Sequence, residues 1–300
     1  MKNQTFGIEL EMNGILLVDK EQDWTSNDVV AKLKGVLHER RIGHSGTLDP
    51  MATGLLVLFI GRATRAVEFA ESHSKRYLAG LRLGLSTDTQ DITGRVLKSA
   101  KAPVSREELL AVLEEFKGEI SQIPPMYSAI KVKGQKLYDI ARRGGEVERK
   151  PRQITVSALT LLGREGEDWL LDVRCSKGTY IRTLCHDIGE RLGCGGCMSS
   201  LRRIQAGDFT VDRAHTIGQI RQAADEGRAE SLLIPVDSLF REYPALTASA
   251  GAEQRLRCGN SVKCAAREGK VRVYSESGEF LLLGQVSGGE LKTIKSFFEV

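Results

Sequence analysis

The chain has 300 residues, 41% hydrophobic and 27% charged, with a formal net charge of +4 and a pI near 8.7. That is enough apolar material for one large domain or two smaller ones, and a basic excess too mild to demonstrate a polyanionic partner by itself. No run approaches the ~18 apolar residues of a membrane helix, and the start, "MKNQTFGIELEMNGILLVDK", is acidic with only a short apolar stretch, so neither secretion nor anchoring is expected.

A reduced, cytoplasmic protein is the resulting expectation for the six cysteines, Cys175, Cys185, Cys194, Cys197, Cys258 and Cys264. Cys194-Gly-Gly-Cys197 is a single CxxC without a second pair, which reads as ordinary buried thiols despite His186 and His215 nearby in sequence.

Along the chain, "ILLVDK" reads as a strand and the segment after it as a helix. That helix carries a stripe of Val29, Val30, Leu33, Val36 and Leu37, with Thr25 or Ser26 as its cap. A loop of glycines, cations and one acid follows, "RIGHSGTLDPMATG", then a buried strand at Leu55–Ile60. Tyr77, Ala79, Leu81, Leu83 and Leu85 alternate, which predicts a strand ending in the loop "STDTQDITG". Residues 105–118 open on a capping box, Ser105 to Glu108, and carry Leu109, Leu110, Leu113 and Phe116 as a helical stripe before Gly118.

Residues 119–152 differ in character. Lys131, Lys133, Lys136, Arg142, Arg143, Arg149, Lys150 and Arg152 are interleaved with Tyr127 and Tyr138. A solvated charged surface accounts for the cations, while the tyrosines favour an RNA-contacting insertion, since cations meet phosphates and aromatic faces meet bases. Trp169, Leu171, Val173 and Cys175 alternate as a strand, Lys177-Gly178 turns the chain, and Ile181, Leu184, Ile188 and Leu192 carry a helix to Gly193. Tyr180 and Arg182 therefore stand at a strand-to-helix junction, a rigid place from which to present side chains. A small, basic, β-rich appendix is expected at 241–300, with two strands around the Ser-Glu-Ser-Gly turn of 270–286.

Several familiar chemistries lack their residues. There is no GxxxxGK[ST] loop, no GxSxG elbow, no HExxH and no convincing metal-binding acid cluster. Asp88 and Asp91 in "STDTQDITG" resemble part of a calcium loop but lack its full ligand set, and read as turn residues. Asp49-Pro50, taken alone, is a turn or helix-starting pair.

Several blocks together carry a family resemblance. "RRIGHSGTLDPMATGLLVLFIGRATR" and "SKRYLAGLRLGLSTDTQDITG" resemble the catalytic motif of the TruB family of bacterial tRNA pseudouridine-55 synthases and its companion. "PPMYSAIKVKGQKLYDIARRGGEVERKPR" is similar to the family's RNA-gripping insertion, and "CSKGTYIRTLCHDIGERLG" with "LRRIQAGDF" to its later active-site motifs. The blocks run in family order from Gly14 to Pro235; the C-terminal appendix fits only loosely.

The resemblance implies an α/β fold of the α+β type. A long, mixed, mostly antiparallel sheet flanked by helices would fill a catalytic domain of residues 1–240, with the insertion at about 119–152 and a small PUA-like β domain at 241–300. It implies isomerisation of a tRNA T-arm uridine, without cofactor or metal, by a monomer that needs no protein partner or membrane. Asp49 matches the nucleophile, Tyr77 the tyrosine stacked on the base, and Arg182 the arginine paired with the aspartate. His44, Tyr180 and Leu201 match positions that touch RNA or line the uridine pocket, and Arg65 falls where a basic residue is usual. The loop's glycines then read as room for RNA backbone, and its flanking arginines as facing a polyanion.

One feature departs from the family pattern, and two other readings compete with it. Where the family has a Lys-Pro-x-Gly turn, this chain reads "DKEQDW", with Glu21 and Asp23 at the proline and glycine positions. An RNA-binding or RNA-folding module without catalysis would also use the basic insertion, and a metal-dependent nuclease or deaminase would instead be sensitive to chelators.

Overall fold

The computed structural model describes residues 12–71, 74–128, 130–132 and 134–299. The acidic start at residues 1–11, Lys133, and the side chains of Lys131 and Lys136 lie outside the described residues.

In the first three-quarters of the chain, the strands are β1 (Gly14–Lys20), β2 (Ile42–Ser45), β3 (Thr53–Ile60), β4 (Lys75–Leu83), β5 (Leu85–Thr87), β6 (Val96–Ser99) and β7 (Gly118–Gln122). They continue as β8 (Lys131–Val132), β9 (Gln135–Lys136), β10 (Arg152–Glu165), β11 (Asp168–Cys175), β12 (Gly196–Ala206) and β13 (Phe209–Thr210). The accompanying helices are α1 (Ser26–Val36), α2 (Val67–Glu71), α3 (Arg106–Glu115), α4 (Leu137–Arg142), α5 (Ile181–Arg191) and α6 (Ile217–Asp225). Nine strands form one sheet in the order β1–β3–β12–β4–β11–β10–β7, with β2 on β3 and β13 on β12. Every pairing is antiparallel except β3 with β12, giving the mixed, mostly antiparallel sheet that the family resemblance implies.

The apolar run of β3 is continuous because both of its faces are covered. Leu56, Leu58 and Ile60 join Leu16 and Val18 in a core closed by α1, α3, α5 and α6. Leu55, Val57 and Phe59 join Ile15 and Leu17 in a second core, reached from the C-terminal region by Val236, Phe240, Leu283 and Phe297. The ring of Phe240 lies 5.9 Å from Phe297 and 5.2 Å, edge-on, from Phe69, so the C-terminal region is fastened to the main sheet by aromatic packing.

The expected alternation in β4 holds through Leu83, where Gly84 breaks the strand and starts the short β5–β6 hairpin. The stripe of α3 is corrected: Val112 is buried with Leu109 and Leu113, while Leu110 is 38% exposed. One residue's rotation on the helix decides which leucine meets the sheet.

The basic insertion is narrower than its composition indicates. Residues 118–122 and Arg152 belong to the main sheet, because β7 pairs with the start of β10, Gln122 opposite Arg152. Between them stand the β8–β9 hairpin and α4, with Arg142, Arg143 and Lys150 exposed.

After Phe240 the chain forms β14 (Ala245–Thr247), α7 (Ala250–Arg257), β15 (Val262–Lys263), β16 (Gly269–Tyr274), β17 (Phe280–Ser287) and β18 (Glu290–Ser296). These five strands make a separate sheet, β14–β16–β17–β18–β15. The turn at Ser275–Gly278 lies where the sequence places it, with the Gly278 amide donating to the Ser275 carbonyl at 3.1 Å.

Candidate active site

The loop that carries Asp49 is confined by sheet topology. β1 occupies one whole edge of β3, so β2 and β12 share the other: Ser45 lies opposite Val57, and Arg202 opposite Thr53. Residues 46–52 leave β2 and must turn back into β3 at the gap between those neighbours. The turn closes with the Ala52 amide donating to the Asp49 carbonyl at 3.0 Å, which places Pro50 at its second position.

Residues from the first strand and helix brace this loop. Thr25 caps α1, in a capping box with Asp28. That leaves the buried Ser26 hydroxyl to accept from the Leu48 amide (2.9 Å) and donate to the Leu48 carbonyl (3.2 Å). Lys20, fully buried at the end of β1, donates to the carbonyls of Glu21 (2.8 Å), Trp24 (2.7 Å) and Pro50 (3.2 Å). Burial lowers its ammonium pKa to about 8, against the pull of Asp23 and Asp49. Asp23 resolves the altered turn: it adopts φ +66°, the left-handed conformation that suits glycine and that aspartate tolerates, and its amide donates to the Pro50 carbonyl at 2.8 Å.

Arg182, in the first turn of α5, is the centre of charge. Its Nε lies 3.0 Å from Asp49 Oδ2, its Nη1 3.5 Å from Asp91 Oδ2, and its Nη2 donates to the Tyr127 carbonyl at 2.8 Å. A further bond from Nη1 to the Thr89 carbonyl at 3.1 Å completes the fork. The Arg182 side chain is 7% exposed and that of Asp49 38%. Burial nevertheless raises the Asp49 pKa above the ordinary carboxylate range; Arg182 and Lys20 oppose this, and Asp91 adds to it. Arg182 therefore moderates, without cancelling, the desolvation of the carboxylate.

Tyr77 lies on β4 opposite both Val173 and Arg203. Burial raises its phenol pKa, and the adjacent Arg203 pulls it back. Leu201, buried on β12, pairs with Ala79, two residues from each member of the Arg203–Tyr77 pair, so Leu201 and Tyr77 share a sheet face. Tyr180 begins α5 without a side-chain cap; instead buried Gln122 brackets its peptide, accepting from the Tyr180 amide (2.8 Å) and donating to its carbonyl (3.0 Å). The Tyr180 phenol pKa is also raised by burial, with Ser128 opposing. His44 stands on β2, half-buried, just before the loop.

Residues 34–181 match the TruB family pseudouridylate synthase N-terminal domain, and residues 182–241 the tRNA pseudouridylate synthase B C-terminal domain. The chain is 42% identical over 285 residues to tRNA pseudouridine synthase B of Stutzerimonas stutzeri, covering 93% of each chain. The chain belongs to the TruB family. The Escherichia coli K12 tRNA pseudouridine synthase B is 40% identical over 288 residues, 92% of each chain. Among solved structures, the crystal structure of a Cbf5–Nop10–Gar1 complex aligns at a TM-score of 0.72 with 27% identity, covering 96% of this chain and 85% of that one. The two TruB family matches divide between Ile181 and Arg182, so the Asp49–Arg182 pair joins them.

Two expectations change, and Arg65 stands away from the loop: its Nη1 donates to the Ser296 carbonyl (3.2 Å) and the Phe298 carbonyl (3.3 Å) of the C-terminal region. It follows the far end of β3, roughly 23 Å from the Asp49 turn at the rise of an eight-residue strand. The loop's glycines serve the protein's own packing. Gly54 has φ +95°, and a Cβ there would collide with the Arg203 carbonyl oxygen. Asp91 is more than a turn residue: it is 5% exposed, its Oδ1 accepting from the Thr89 hydroxyl (2.9 Å), the Thr93 amide (3.0 Å) and the Thr93 hydroxyl (2.6 Å). Its signal in the sequence was the pair of threonines flanking it at two-residue spacing. Lys20, Gln122 and Arg203 gave no signal, since the partners of their side chains are backbone atoms.

Among the described residues no group of three His, Cys, Asp or Glu lies close enough to hold a metal. Cys194 is half-buried, its thiol facing the Gly189 and Gly195 carbonyls, and Cys197 is buried. Among the described residues no helix is long and apolar enough to cross a membrane.

Proposed function

We propose that this protein isomerises uridine 55 in the TΨC arm of tRNA to pseudouridine, with Asp49 as the nucleophile. The observation that supports it is the 3.0 Å Asp49–Arg182 pair, held on a braced loop in a chain that aligns along its length with tRNA pseudouridine synthases. The reaction breaks the C1′–N1 bond, turns the base and joins C1′ to C5; the C5 hydrogen leaves to solvent and N1 gains a proton. A carboxylate attacks as the anion, so Arg182 favours the reactive form within a site whose desolvation favours the acid.

The target base is stacked in a folded arm and must be extruded into the site, at a cost of a few kcal/mol. Tyr77 and Tyr180 offer aromatic faces that offset this, Leu201 an apolar wall, and His44 a group beside the space the base vacates. The exposed cations of the insertion and of the C-terminal domain meet the phosphates. Asp49, Tyr77 and Arg182 are thus assigned to catalysis, and His44, Tyr180 and Leu201 to the substrate. The chain acts in the cytoplasm as a monomer, with residues 1–240 as catalytic domain and 241–300 as RNA-binding domain.

The test is chemical mapping of pseudouridine in an unmodified tRNA transcript. Modification at position 55 alone is expected, in buffer containing chelator. A protein that binds the transcript and leaves uridine 55 unchanged would refute the proposal.

A further inference from the structure

Among the described residues, Arg203 is the largest side chain with almost no exposed surface, at 1%. Its hydrogen bonds run to carbonyls, Nε to Leu55 (2.7 Å) and Nη2 to Gly46 (3.0 Å), and no carboxylate pairs with it among the described residues. A guanidinium buried without an anion is costly, and an apolar side chain of similar size would pack there at less expense. The geometry indicates what the charge accomplishes. Gly46 is where the chain enters the Asp49 loop, and Leu55 is where it is already in β3. The Arg203 main chain also pairs with Gly54. One residue thus grips both ends of residues 46–55, with Asp49 between them.

Arg203 is also the direct partner of Tyr77 across the β4–β12 ladder, near enough for its charge to oppose the rise in the phenol pKa. Gly46 is matched to the Arg203 side chain: its φ is +76°, and a Cβ there would stand 3.3 Å from Arg203 Nη1.

We infer that Arg203 is a positioning residue for the isomerisation, clamping the Asp49 loop to β3 and to Tyr77 so that nucleophile and aromatic ring keep one fixed geometry. This rests on the uridine isomerisation proposed above and adds a residue to it. Lysine at this position keeps the charge but lacks the planar fork whose Nε and Nη2 address the two carbonyls from separate, fixed directions.

The test compares wild type with Arg203→Lys on a T-arm stem-loop carrying tritium at uridine C5, under single turnover and well below the melting temperature. The expected result is a fall in the isomerisation rate of at least about tenfold, because small misplacement of reacting groups is costly, with stem-loop affinity within about threefold of wild type. A folded Arg203→Lys protein with unchanged rate, or with rate and affinity falling in proportion, overturns the inference. Should Arg203→Lys not melt cooperatively, Gly46→Ala presses on the same contact from the loop side. It is expected to show the same separation of rate from affinity, and an unchanged rate again overturns the inference. Absence of turnover in the wild type would count against the function itself and not against Arg203.

Discussion

Arg182 Nε stands 3.0 Å from Asp49 Oδ2, yet the Asp49 carboxyl remains harder to ionise than an ordinary aspartate because burial outweighs the attraction. The rate should therefore fall with acidity around a midpoint above the ordinary value of about 3.9. The sign for stability follows. A folded-state pKa above the unfolded one means that the native protein holds the proton longer, so this group's contribution to stability declines as pH rises through that window. Asp49→Asn removes that cost, and Arg182 keeps Asp91 and two carbonyls as partners. Its urea midpoint at neutral pH should equal or exceed that of wild type; a clear drop would show the pair to be net stabilising.

Asp91 raises the Asp49 pKa through space while anchoring the opposite side of Arg182. Asp91→Asn should move the acid limb of the rate profile to lower pH and reduce the plateau rate at least about tenfold, as Arg182 loses its buried counter-anion and shifts. An acid limb that stays in place would contradict this electrostatic assignment.

Much of the local fold around this site was legible in the sequence because its patterns are short-range. Asp49-Pro50 alone read as a turn pair, and Asp49 was singled out only through the family resemblance. The capping boxes of α1 and α3, the alternation of β4 and β11, and the strand-to-helix junction at Tyr180 are all short-range patterns. Long-range contacts were not legible. Ser26 reaches Leu48, Gln122 reaches Tyr180, and Arg203 reaches Leu55, each across 22 or more residues with backbone as partner. A backbone carbonyl has no sequence signature, so the side chain that seeks it looks like any buried polar residue. Arg65 shows the converse: a cation that flanks the Asp49 motif in sequence is carried by β3 to the other end of the sheet, beside Ser296.

Arg65→Ala should accordingly leave isomerisation of the T-arm stem-loop within about twofold of wild type, since an exposed contact of this kind contributes at most about 1 kcal/mol. Any loss should appear in thermal stability, where Arg65 and the Lys295–Glu68 pair (2.6 Å) tie the C-terminal sheet to the segment after β3. A selective loss of turnover would return Arg65 to the substrate.

Lys20 titrates near pH 8 in the folded protein against about 10.5 when unfolded. Between those values the unfolded chain binds the proton and the native one has released it, so this group's contribution to stability rises with pH. Lys20→Met lacks that term. The difference in urea-unfolding free energy, wild type minus Lys20→Met, should grow by on the order of 2 kcal/mol from pH 7 to pH 10. A difference that is flat across this range would mean that Lys20 is not desolvated as its burial indicates.

The most direct test of the central claim is tritium release from a T-arm stem-loop labelled at uridine C5, measured for wild type and Asp49→Asn beside their stem-loop affinities. Joining C1′ to C5 expels the C5 hydrogen, so the wild type should transfer tritium to water in chelator-treated buffer. Asp49→Asn should bind the stem-loop comparably and release none. Tritium release by Asp49→Asn at the wild-type rate would remove Asp49 from the chemistry and return its loop to a turn.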